Sequence, residues 1–268
     1  MGVVSDTMVR AECDSGMART EGTAVIEAAL WGAIATSSLV IGAEVAFRVN
    51  MSRMLLGLIM AFGVGALIAS VSFELIQPAM ESSGTRRVAL GLAAGALVFF
   101  IGDRLIERLG STNLPDVADQ GLGEGRSNLG IVLGTILDGV PESAVLGMSL
   151  VAGGEVSAAL LVGIWISNLP ESMAATIGMR DAGWSNGRIR VTWSSIVVAS
   201  VAAAAIGFLV VDNNSTVTGA FVQAFAAGAL LTMIADELAP EAFERSSLHA
   251  GLATTAGFAL AAFLTDLD

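Results

Sequence analysis

Two prolines, each followed by Glu and Ser, lie inside apolar stretches of the chain: Asp138-Gly139-Val140-Pro141-Glu142-Ser143 and Ser167-Asn168-Leu169-Pro170-Glu171-Ser172. On a helix, Asp138 and Glu142 stand one turn apart, as do Ser167 and Glu171, so each pair projects from one face. Each proline also removes an amide and displaces the carbonyl one turn earlier, at Leu137 and Ile166, leaving backbone oxygens in need of a partner. The carboxylates of Asp138, Glu142 and Glu171, the amide oxygen of Asn168 and the hydroxyl of Ser167 then form an all-oxygen donor set. Such a set suits Mg, Mn or ferrous iron better than a thiolate-seeking metal, and Zn and Co also accept carboxylates. A carboxylate at mid-bilayer costs about 2.5–3.5 kcal/mol on insertion scales, so ionisable groups within spans line an ion path or face a partner.

The elements that must hold these residues are membrane helices. Of 268 residues 54% are apolar and only 14% charged, with 31 glycines spread among runs of Ala, Val, Leu and Ile. A soluble domain carries more charge. Stretches of spanning length recur at roughly 24–47, 54–77, 88–109, 128–152, 156–179, 192–211, 217–239 and 248–265. The predicted fold is an all-α membrane protein of eight transmembrane helices. The segments are too long and too uniformly apolar for the alternation of a membrane β-barrel.

Residues 1–23 are polar and of mixed charge, lack the apolar core of a signal peptide, and are expected to form a disordered tail before a transporter domain over 24–268. The lone thiol, Cys13, lies in that tail, which leaves neither an internal disulfide nor a thiolate cluster. All 13 basic residues are Arg and the formal net charge is −12, with no basic, aromatic-rich patch for nucleic acid. Nine Arg residues fall in or beside the connections after the odd-numbered spans and four on the opposite side. That bias predicts a cytoplasmic loop between the third and fourth helices and both termini outside.

The chain also repeats itself. Phe62, Gly65, Ala66, Leu67, Glu74, Leu75, Ala79 and Glu81 match Phe225, Gly228, Ala229, Leu230, Glu237, Leu238, Ala242 and Glu244 at one constant offset. The two Pro-Glu-Ser helices match at another. Helices one to three and six to eight therefore read as two related units around a central pair, inserted oppositely because an odd number of spans separates equivalent helices. Transporters with inverted repeats place their site near the midplane, where Pro- or Gly-interrupted helices meet.

Glu74 and the Asp236-Glu237 pair read equally as pathway carboxylates or as hydrated helix-end groups. Asp103, Glu27 and Glu44 read as interface charges, His249 as a structural interfacial residue and the 11 Met residues as packing. An intramembrane hydrolase is disfavoured because Ser143 and Ser172 have no His to act as general base, and no enzymatic activity is expected.

Eight spans in a three-plus-two-plus-three plan, outward termini and Pro-Glu motifs in the fourth and fifth helices resemble the ZIP family of divalent-metal transporters, over about residues 25–265. The run from Gly228 through Asp236-Glu237-Leu238-Ala239-Pro240-Glu241-Ala242 resembles the family's seventh helix. In place of the family's His-Asn-x-Pro-Glu-Gly this chain has Asp138-Gly139-Val140-Pro141-Glu142-Ser143, and in the fifth helix Ser167 and Asn168 fill the first two motif positions. Both imidazoles are gone. The sixth span offers no carboxylate where many family members carry one, and Gly139 offers no side chain.

The resemblance implies a transporter for Zn, Fe or Mn, working toward the cytoplasm, with Glu142, Glu171 and Asp138 forming the primary site and Asn168 bridging from it. It also implies that the first, fourth, fifth and sixth helices move against the other four. The metal is the transported substrate, and no cofactor is expected. The expected partners are the metal and the lipid bilayer, and the glycines from Gly91 to Gly95 allow close helix contacts within a chain or in a homodimer. Two alternatives remain: a ZIP-like protein that no longer transports divalent metal and acts as a sensor or assembly partner, and a transporter of another cation.

Overall fold

The computed structural model describes residues 3–49, 51–111, 139, 142–148, 150, 158–210 and 216–266. The described regular structure is helical throughout. In chain order α1 is Val3–Arg48, α2 Arg53–Ser83, α3 Thr85–Ser111, α4 the segment 142–148, α5 Ala158–Asp181, α6 Asn186–Val210, α7 the run 216–246 and α8 Ala250–Thr265. The helix α1 takes in part of the segment expected to be a tail, since its bounds begin at Val3. It contains no proline, and residues such as Ala11, Met17 and Ala18 let the first helix propagate backwards at little cost. Most of the fourth predicted span, with Asp138 and Pro141, lies outside the described residues, as does the loop between the third and fourth spans.

Six helical runs among the described residues are long and apolar enough to cross a membrane. One of them, Gly219–Thr265, has 47 residues. As a straight helix it would reach about 70 Å, more than twice the hydrocarbon thickness of about 30 Å. The chain turns at Ser247, whose φ of 53° breaks the axis, and α7 and α8 run separately on either side. Large apolar side chains such as Val191, Val198, Leu209, Leu90 and Leu252 face outward over half or more of their surface, the inverse of a soluble protein's exterior.

Close backbone approaches fix the relative directions of the helices. Gly63 of α2 abuts the backbone of Ser167, while Gly163 meets Ser70 and Leu67 further along, so α2 and α5 are antiparallel. Trp165 donates from Nε1 to Ser37 Oγ at 3.2 Å, and Arg180 donates to the Ala46 carbonyl at 3.1 Å, so α1 and α5 run parallel. A Cβ on Gly65 would overlap the carbonyl oxygen of Thr254, and one on Gly257 that of Phe62, which ties α2 to α8. In the same way Gly228 meets the carbonyl of Leu92 and Gly95 that of Phe225, tying α3 to α7. Small residues permit this closeness where lipid supplies no hydrophobic drive between helices.

The central core lies between these pairs. Val64, Leu67, Val71 and Leu75 of α2 pack with Val145 and Leu146 of α4, Leu160 and Ile164 of α5, and Leu230, Met233 and Ile234 of α7. A second cluster, built from Leu39, Met179, Ile189, Trp193 and Ile196, binds α1, α5 and α6.

Two helices carry a wide π turn: Val71–Ile76 in α2 and Ile234–Leu238 in α7. In the first, Gln77 N–H donates to Ser72 O; in the second, Ala239 N–H donates to Ile234 O, each reaching one residue further back than in an α-helix. Pro78 and Pro240 follow directly. Each lacks the N–H that would bond Glu74 O or Asp236 O, and widening the turn relieves the clash with that carbonyl.

Candidate metal centre

The middle of α5 divides its motif between two neighbours. Leu160 and Ile164 enter the central core, and one turn later the Ser167 backbone lies against Gly63 of α2. Asn168 is 1% exposed, and its Nδ2 has no hydrogen-bond acceptor in the structure. Ser167 donates its hydroxyl to Ile164 O at 3.0 Å, which leaves only lone pairs for a ligand. Pro170 sits inside the helix, which continues unbroken to Asp181. Glu171 is partly buried, three and four residues beyond Asn168 and Ser167 and thus on their face.

Ser172 turns the other way, toward α1. It donates to Leu169 O at 2.9 Å and lies 3.5 Å from Ser38 O, in the space that Gly42 leaves by having no side chain. Its role is helix packing.

On α4, Glu142 is 1% exposed, one turn before Leu146 of the central core. It is the sole charged member of the fully buried polar set among the described residues, which contains no arginine. A carboxylate so placed needs a proton, a hydrogen bond or a cation to hold it there. Ser143 beside it is fully buried, and its Oγ lacks a hydrogen-bond partner. The sequence marked Ser143 only as a nucleophile without a base; its burial beside Glu142 came from the fold.

Across from α4 stands α6, where Ser200 Oγ lies 3.5 Å from Gly139 O and Gly207 and Ala204 pack on Ala144 and Gly147. The described part of α6 brings hydroxyls and methyl groups to this face. Among the described residues no three His, Cys, Asp or Glu side chains gather as a metal-binding group. Asp138, the remaining carboxylate of the predicted set, lies outside them. The described members Glu142, Ser167, Asn168 and Glu171 occupy α4 and α5, whose core-facing residues share one cluster.

Away from this centre, charge collects at one end of the bundle. Glu44 accepts from Arg48 and Arg190, Arg53 pairs with Glu244, and Arg245 pairs with Glu241. The Arg188 guanidinium stacks on Trp184 at 3.7 Å and that of Arg190 on Phe47 at 5.1 Å. Glu44 is thus an interface charge, as its helix-end position predicted.

The long apolar helices make this a multi-pass membrane protein. The chain is 27% identical over 242 residues to an Arabidopsis thaliana protein named "Putative zinc transporter". The match takes in 87% of this chain and 38% of the plant protein, so the chain spans about two fifths of that relative's length. No protein-family model matches the sequence.

Proposed function

We propose that the chain is a ZIP-type transporter of divalent metal, with Zn, Fe or Mn as substrate and import toward the cytoplasm. In this reading eight helices form an inverted three-plus-two-plus-three bundle, and Asp138, Glu142, Asn168, Glu171 and Ser167 bind the metal. The observation that carries it is the complete burial of Glu142 and Asn168 on adjacent helices at the heart of an apolar bundle. Polar and ionisable groups buried within a membrane bundle are characteristic of substrate and ion pathways. The name of the plant relative supports metal as the cargo. The Arg-rich end then faces the cytoplasm.

The donor set also supports one metal per passage. Gly139 offers only a carbonyl, and α6 meets it with the Ser200 hydroxyl, so the carboxylates of the site gain no further acid from α6 to hold a second ion. Titration of the purified protein with Zn and Mn tests the reading: a stoichiometry near one, abolished by Glu142→Gln together with Glu171→Gln, is expected. Unchanged binding in that variant would move the site elsewhere.

A further inference from the structure

Where α1 and α5 end and α6 begins, Arg48, Arg180, Arg188 and Arg190 stand with only two acids, Glu44 and Asp181, in a chain whose formal net charge is −12. Glu44 is shared by Arg48 and Arg190, and among the described residues no carboxylate pairs with Arg188. The turn that carries Arg188 is tightly built. Gly183, at φ 82°, lets its own N–H reach Arg180 O at 2.9 Å and that of Trp184 reach Met179 O at 3.0 Å, a left-handed glycine cap on α5. Trp184 is thereby folded onto the cluster of Leu39, Met179, Ile189 and Trp193, and the Arg188 guanidinium stacks on its ring at 3.7 Å. Helix stability does not call for these arginines, because a cation near the start of a helix opposes its dipole and no acid lies in the first turn of α6.

From this charged end a stripe of α6 runs down the outside of the bundle. Arg190, Ser194 and Val198 follow at four-residue intervals on one face, and with Val191 and Ser195 they line a groove of about 460 Å³. Val191 and Val198 are 70% and 69% exposed, so the groove opens toward the hydrocarbon. Ser195 donates to Thr192 O at 2.7 Å, whereas Ser194 is exposed and makes no hydrogen bond among the described residues. Polarity thus falls from guanidinium to hydroxyl to methyl over about 12 Å of helix at 1.5 Å per residue. Ala202 and Ile206, next on the same face, are exposed and extend its apolar part. Phosphate, ester and acyl chain follow one another in that order in a phospholipid. A free anion would match only the first member.

We infer that this corner binds an anionic phospholipid of the adjoining leaflet, its phosphate on Arg188 and Arg190, a glycerol ester carbonyl accepting from Ser194 and an acyl chain along Val191 and Val198. Arg190 can serve Glu44 and a phosphate together: its Nε and Nη2 donate to the carboxylate and leave Nη1 unused. Stacking on Trp184 already restricts Arg188, so little side-chain freedom is lost on binding. Basic sites beside membrane helices select anionic headgroups in this way. The inference concerns the bilayer and stands apart from the identity of any transported ion.

Native mass spectrometry of the purified protein, with phosphatidylglycerol and phosphatidylcholine of identical chains, tests the site. The wild type should retain phosphatidylglycerol in preference. Arg188→Gln should weaken that preference about fivefold, the effect of one basic residue beside an anionic headgroup, and Arg188→Lys should keep most of it. Arg190→Gln also breaks the Glu44 pair, so Arg188→Gln, which breaks no ion pair, is the deciding variant. Arg86→Gln with Arg87→Gln, at the opposite end of the bundle, should leave the preference intact. Equal retention of the two lipids, or a preference that survives Arg188→Gln or falls as far in the Arg86 and Arg87 variant, would overturn the inference. An excess of inorganic phosphate should fail to displace the lipid; displacement would overturn it in favour of a free-anion site. All of these results can be read in protein that moves no metal.

Discussion

Gly65 of α2 and Gly228 of α7 do the same job in two halves of one chain: the first brings its helix onto the carbonyl of Thr254, the second onto the carbonyl of Leu92. Gly257 and Gly95 complete the two contacts from the other side. The pairs α2–α8 and α3–α7 are therefore locked through backbone, with no side chain able to yield.

A methyl group at either glycine must push helices apart. Gly65→Ala and Gly228→Ala should each destabilise the folded protein by about 1–3 kcal/mol, the range for overpacked cores. Gly102→Ala, where nothing lies within 4 Å of the added carbon, should be neutral or slightly stabilising. Unfolding in mixed detergent micelles checks the contrast, and equal effects at all three positions would contradict it.

The two serines of the Pro-Glu-Ser motifs should respond differently. Ser172→Ala removes a hydroxyl that bonds its own helix at 2.9 Å and should lower stability modestly, by about 1 kcal/mol, without changing metal binding. Ser143→Ala removes a buried hydroxyl that has no hydrogen-bond partner, so stability should hold or rise. Thermal melts of both variants decide this. A larger loss for Ser143→Ala would show that its hydroxyl has a structural duty.

Trp193, fully buried between α5 and α6, donates from Nε1 to Thr176 Oγ1 at 2.9 Å. Thr176→Val keeps the volume and strands the indole N–H, so it should cost about 1–3 kcal/mol. Trp193→Phe in the same background should then add less than it does in the wild type, because the orphaned donor is gone.

Much of the architecture could be read from the sequence because lipid imposes a simple rule: apolar runs of sufficient length become helices. Among the described residues all regular structure is helical and six runs have spanning length, against the eight spans expected. The π turns could not be read, since Pro78 and Pro240 announce a disturbance but not whether the ladder widens, kinks or stops. The opposite duties of Ser143 and Ser172 were hidden for a similar reason: identical triplets diverge once one of them faces Gly42. Of the predicted site, Glu142 and Asn168 prove fully buried and Ser167 lies against α2, while Asp138 is outside the described residues.

The central claim is that metal crosses the bundle through the carboxylates of α4 and α5, and the most direct test is uptake of Zn, Fe and Mn into proteoliposomes. Wild-type protein should carry at least one of them, and Glu142→Gln together with Glu171→Gln should abolish that flux while eluting and melting as the wild type does. Undiminished flux in the double variant would contradict the account.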